Sequence, residues 1–186
     1  DIGQRLGEPA LQALAYHKLA RLAQVRGDFS AMRTFAEAGC AQARLSNLPR
    51  LIAECLNDFG LSFSLFGEPL AASPHFHEAL DWLRQAPDRY LEARVIGNLG
   101  FISLSGHEYQ AAYHYLQQAL TLKRLLGYHE DIVVTLLFSA HLWMALGAYE
   151  TAHQEQEEIL AILRMIRNPY WENWLSVTNA RLQYLQ

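Results

Sequence analysis

Between Pro9 and Gly27 the apolar residues of this chain recur three and four apart, the period of an α-helix. The same pattern returns along the sequence, broken each time at a proline, a glycine or a short polar run. It predicts nine helices and no strand, at about 9–26, 29–46, 49–66, 70–86, 89–105, 109–127, 129–146, 149–167 and 169–186. Glutamates gather early in the later helices and basic residues late. Glu150, Glu155, Glu157 and Glu158 precede Arg164 and Arg167, and Glu108 precedes Lys123, Arg124 and Gly127. That order suits the helix dipole.

Comparing the chain with itself shows that these helices come in repeating pairs. Ala20, Gly60, Gly100, Ala140 and Ala180 stand at intervals of about forty residues. Gly27, Gly67 and Gly147 keep the same interval, with Gly106 one place early in the third unit. Phe29, Pro69, Tyr109 and Tyr149 follow, then Met32, Ala72, Ala112 and Ala152, then Gly39, Ala79, Ala119 and Ile159. Pro9, Pro49 and Pro169 mark one phase, replaced by Arg89 and His129 in the other units. Proline is tolerated at the first helical position, where its missing N–H has no intrahelical partner, and glycine ends a helix in the left-handed conformation. Gly60 and Gly100 fall inside helices, where each costs about 1 kcal/mol relative to alanine. Their recurrence implies a close helix–helix approach, with Ala72, Ala112 and Ala152 as the matching small residues on the second helix.

Asn98-Leu99-Gly100, Gly106-His107-Glu108-Tyr109, Ala112 and Ala119 resemble the tetratricopeptide repeat, as do Phe59-Gly60, Gly67, Ala72, Phe76 and Ala79. The resemblance covers nearly the whole chain. It implies an all-α fold, a right-handed superhelix (an α-solenoid) of antiparallel helical hairpins. The expected organisation is a single array over 1–186, four repeats plus partial ends, cut from a longer chain. The longer period places about a turn and a half of extra helix in the second member of each pair. Ser73-Pro74 suggests that the second helix of the second unit starts late, with Ser73 as its cap. Long repeats of this kind are similar to those of MalT-like bacterial regulators, where they form a sensor arm, and to those of pheromone-peptide receptors and some adaptor proteins.

Composition narrows the function. Hydrophobic residues make up 51% and charged residues 18%, which implies a large core and excludes disorder. The net charge of -4 carries no basic block, so direct nucleic-acid contact by this segment is not expected. From Ile132 to Tyr149 no Asp, Glu, Lys or Arg occurs, yet the stretch is in step with the repeat and reads as a buried helix, not a membrane span. The polar N-terminus has no apolar signal region, and Cys40 and Cys55 read as buried thiols of a reducing, cytoplasmic compartment.

No catalytic chemistry emerges. His77-Glu78 and His107-Glu108 begin like a zinc-protease motif, but Asp81 and Ala111 stand where the second histidine belongs. His75 and His77 point to different helix faces, no glycine run has phosphate-loop spacing, and neither cysteine has an activating partner. A non-enzyme with no metal and no cofactor is expected.

In the family the resemblance names, the first helix of each pair lines the concave side. That implies a ligand-binding row of His17, Arg21, Asn57, Leu61, Arg94, Asn98, Phe101, His141 and Trp174, beside Lys18, Asp58 and Phe138. Its first half is polar and its second half apolar and aromatic. Gly97 could leave room for a ligand or serve packing, and Asp58 would repel a ligand carboxylate. The row suits a protein or peptide, or alternatively a small-molecule inducer. The remaining alternative is a spacer that self-associates through open apolar ends such as Leu182, Tyr184 and Leu185.

Overall fold

The computed structural model describes residues 2–166, with side chains from Glu8 onward. Eight α-helices and one 3-10 turn occur in this span, with no strand among the described residues. They are α1 (Ile2–Val25), α2 (Phe29–Ser46), α3 (Pro49–Leu65), α4 (Ser73–Leu83), α5 (Arg89–Ser105), α6 (Tyr109–Leu126), α7 (His129–Ala145) and α8 (Tyr149–Ile166). The expected ninth helix lies outside the described residues. So do its members Pro169, Trp174, Ala180 and Arg181.

Consecutive helices pack as antiparallel hairpins, α1 on α2 through α7 on α8. The turns inside the hairpins close as the register requires. Gly27, Gly67 and Gly147 take positive φ of 73°, 95° and 74°. In the third unit the left-handed position stays in register and falls on His107, at φ 59°, while Gly106 keeps φ -84°. The early glycine therefore shifts nothing. A non-glycine residue bears the strained conformation instead. Between hairpins, Asn47 and Gly127 end α2 and α6 in the same left-handed way. Asp28 and Asp88 cap α2 and α5 by accepting from the backbone N–H of Ala31 and Leu91.

Four expectations are corrected in detail. Helix α1 begins at Ile2, so Pro9 lies inside it and not at its first turn. The first helices α3, α5 and α7 have 17 residues and the second helices α2, α6 and α8 have 18, so the length of the period is shared by both members of a pair and not placed in the second alone. Pro69–Ala72 forms a 3-10 turn before α4, and Ser73 is the first residue of that helix, not its cap. Pro74 sits in the opening turn, where no hydrogen bond is lost.

The fourth correction concerns the recurrent helix glycines. A Cβ on Gly60 would lie 2.7 Å from the Phe76 ring, and one on Gly100 would lie 2.8 Å from Leu116. At Gly60 and Gly100 the first helix thus receives a large knob from the second, sixteen positions later, whereas in the fourth unit the small residues Ala140 and Ala152 do share one buried cluster. Ala72 and Ala112 are fully buried as well.

Successive hairpins meet chiefly where the second helix of one packs on the first helix of the next, α2 on α3, α4 on α5 and α6 on α7, and their first helices also touch, α1 with α3, α3 with α5 and α5 with α7. The second helices make no comparable direct contact, so the stack curves with the first helices inside. Long side chains bridge the wider outer gap, Arg44 to Glu78 at 2.9 Å and Arg124 to Glu158 at 2.7 Å. A continuous core of Ile52, Leu56, Phe76, Leu91, Val95 and Leu99 fills the middle of the stack. Ile132 to Tyr149, the uncharged run, is mostly α7, whose buried residues include Val133, Leu136, Leu137 and Ala140. No helix among the described residues is long and apolar enough to cross a membrane.

Candidate functional site

The first helices carry the row that the sequence singles out, and the structure divides it. Part of the row has turned inward, into the seams between units. His17 Nδ1 lies 2.6 Å from Asp58 Oδ2, bridging α1 and α3. Asn98 donates through Nδ2 to Asn57 Oδ1 at 2.9 Å, bridging α3 and α5. Asn57 and Asp58 are 0% and 1% exposed. Neither lines an open groove, which corrects the reading of Asn57 as a ligand contact. It also removes the reason to expect repulsion by Asp58, because that carboxylate faces His17. Both bridges join residues 41 apart, so each first helix meets its neighbour one position out of strict register. Asn57 Nδ2 and Asp58 Oδ1 keep no hydrogen-bond partner in this seam. Leu61 is half-buried against the same core.

Gly97 has a structural task. The space above it is filled by the Lys123 ammonium, which would lie 3.2 Å from an added Cβ. Lys123 reaches in from α6, is 4% exposed, and donates to Thr135 Oγ1 at 2.7 Å. Burial pulls its pKa down to about 8, with Asp131 opposing and Arg94 assisting the shift. No ligand space remains there.

The rest of the row stays partly open. Arg94 and Phe101 are half-buried on α5, and Arg21 is exposed on α1. The Phe101 and Phe138 rings lie 4.7 Å apart across α5 and α7. His141 is half-buried one turn along α7. Tyr90 and Tyr128, which sequence reasoning missed, pair at 4.3 Å near the start of α5 and α7, with the Arg94 guanidinium 5.7 Å from the Tyr90 ring. Burial pushes the Tyr90 phenol up, and the negative charge of Asp131 adds to this. The one available signal was Tyr90 standing four residues before Arg94, on the same helix face. Trp174 lies outside the described residues.

Other titratable groups serve packing. Burial pushes the Cys55 thiol up to about 12 and raises Cys40 as well, so neither is a ready nucleophile. Glu155 accepts from Ser139 Oγ at 2.7 Å and from Trp143 Nε1 at 3.1 Å, holding α8 on α7. His75 stacks on Phe63 at 5.2 Å, and His77 turns back to the Ser73 carbonyl. Two surface clefts lie away from the inner row. One of about 330 Å³ is lined by Leu80, Leu83, Pro87, Glu92 and Tyr115, and one of about 460 Å³ lies beside Glu108, Tyr109 and His114.

The eight helices among the described residues, in stacked antiparallel hairpins, make this chain a helical-repeat solenoid. No family profile matches it, and no curated protein does. Among solved structures the apo form of RapI is similar, with a TM-score of 0.78 and 14% identity over 92% of this chain. The chain spans 62% of the length of that protein. At this identity the likeness establishes the fold.

Proposed function

We propose that this chain is a non-catalytic tetratricopeptide-type scaffold that binds a protein or peptide on its inner face. In this reading it is a single array of four repeats plus partial ends. It serves as the sensor or interaction arm of a larger cytoplasmic bacterial regulator, in the manner of the MalT-like proteins its repeats resemble. The observation that carries the reading is the open part of the first-helix row. Arg94, Phe101, Phe138, Tyr90 and Tyr128 stay half-buried or exposed along α5, α7 and the turn that leads into α7. A solenoid that acts only as a spacer has no need to hold aromatic and cationic side chains in that position. An extended ligand suits it better than a small inducer, because the open side chains are spread along α5 from Tyr90 to Phe101 and across to Phe138 on α7.

The test compares wild type with Arg94→Ala and Phe101→Ala against a partner captured by the full-length protein. Loss of a charge-assisted hydrogen bond from Arg94 weakens binding by roughly 1.5–3 kcal/mol. A genuine partner whose affinity is unchanged by both substitutions moves the binding surface to the outer helices.

A further inference from the structure

Ion pairs between successive second helices form a ladder on the outer face, and one rung of it is broken. Arg44, near the end of α2, donates through Nη2 to both oxygens of Glu78 on α4, at 2.9 and 3.0 Å. Arg124, near the end of α6, does the same to Glu158 on α8, at 2.7 and 2.9 Å. Both pairs join residues 34 apart. The rung between them would join Arg84, just past the end of α4, to residue 118 on α6, and that residue is glutamine. Arg84 turns back to Asp81 on its own helix instead, at 2.7 Å. Asp81 is peculiar to this unit, since Ala41, Thr121 and Ala161 take its place in the others.

A cleft opens in the same seam. Helices α2 and α6 run to Ser46 and Leu126, whereas α4 stops at Leu83, short of the matching residue Ala86. Pro87 is the cause, because a proline disfavours the helical conformation in the residue before it. On α5, Glu92 takes the place of Ile52 and Ile132, which are 1% and 4% exposed. Its carboxylate turns to Arg89, at 3.1 Å, and does not fill the seam. The shortened helix and the lost isoleucine together leave a space of about 330 Å³. Leu80, Leu83, Ile96 and Tyr115 give it an apolar wall, and Arg84 and Gln118 both border it. Small-molecule sites begin at about this volume, roughly 300 Å³.

The charges around the cleft are not equally committed. Glu92 holds Arg89, and Asp88 accepts from Arg50 Nε at 2.8 Å while it caps α5. Arg84 and Asp81, by contrast, are 79% and 63% exposed, and a pair so open to water contributes little. Arg84 can exchange it for a carboxylate delivered against apolar surface, where the same contact is stronger.

We propose that this cleft is a second binding site, independent of the inner face, for a small amphipathic monocarboxylate. The ligand is an aliphatic or aryl acid whose hydrocarbon body lies on Leu80, Leu83, Ile96 and Tyr115. Its carboxylate meets Arg84, in the role that glutamate has in the other two seams. Bound there, the acid joins α4 to α6 as Glu78 joins α4 to α2.

The experiment titrates octanoate into the full chain by isothermal titration calorimetry, with octan-1-ol as the uncharged probe of the same length. Wild type, Arg84→Gln and Gln118→Glu are compared, each checked for an unchanged circular dichroism spectrum. Wild type is expected to bind octanoate at one saturable site and to bind octan-1-ol about ten-fold more weakly or worse. Arg84→Gln loses about ten-fold or more in affinity for octanoate. Gln118→Glu loses as much with Arg84 still present, because the new carboxylate takes the guanidinium and repels the ligand. No saturable binding, octan-1-ol binding as tight as that of octanoate, or an octanoate affinity unchanged by either substitution overturns the proposal.

Discussion

Alanine at Gly100 places its Cβ 2.8 Å from both Cγ and Cδ2 of Leu116, and 3.3 Å from the Leu116 backbone nitrogen. Carbon atoms in contact prefer about 3.5–4.0 Å, so the leucine must move or the helices must part. Leu116 is 0% exposed and has nowhere empty to go. Overpacking of this kind costs about 1–3 kcal/mol. Against it stands the gain of about 1 kcal/mol from replacing glycine inside a helix. The expected net effect of Gly100→Ala is a loss of up to about 2 kcal/mol. Leu116→Ala alone loses about 2–5 kcal/mol, because it empties a fully buried site. In that background, however, the obstruction is gone. Gly100→Ala should now stabilise by about 1 kcal/mol, so the sign of one substitution reverses with the other. Urea unfolding of the four proteins measures this, with a constant denaturant slope confirming that the unfolding transition is the same. If Gly100→Ala has the same effect in both backgrounds, Leu116 is not the knob that makes glycine necessary.

Lys123→Met should stabilise the protein most at neutral pH. The folded pKa near 8 lies below the usual 10.5, so the buried charge costs stability below pH 8. Between pH 8 and 10.5 the native lysine loses its proton before the unfolded one, and wild type recovers on the order of 3 kcal/mol relative to the variant. Cys40 and Cys55 change stability in the opposite direction at alkaline pH, because their raised values keep protons on the native state, and the comparison with the variant cancels them. Melting curves whose difference does not vary with pH would show that Lys123 is not buried as a charge. His107→Gly should raise stability by about 0.5–1 kcal/mol, since glycine adopts positive φ without the Cβ penalty. A lower melting temperature for this variant would mean that the His107 contact with Tyr109, at 3.1 Å, outweighs the backbone strain.

Much of the architecture was legible in the chain itself, for local reasons. The spacing of apolar residues marks the helices, and α2 begins at Phe29 and α5 at Arg89, where the pattern places them. Glycines at Gly27, Gly67 and Gly147 mark the turns because few other residues tolerate positive φ. Repetition without insertion carries the third turn to His107 even where the glycine is displaced. Each of these features depends on backbone conformation within a few residues, and such preferences are written residue by residue.

What only the tertiary structure decided is how one unit meets the next. Self-comparison aligns equivalent positions, and in that alignment His17 and Asn57 appear together on one open face. Contacts between units, however, join residues 41 apart, His17 to Asp58 and Asn57 to Asn98, and this turns half of the expected site into a buried seam. The offset comes from the rotation between hairpins, which is set by the sum of side-chain volumes along the whole interface and by no single residue. For the same reason Gly97 could not be read as the seat of Lys123, nor Gly100 as the socket for Leu116. A glycine in a sequence shows that something comes close; which group comes close is chosen by the packing of the other helix.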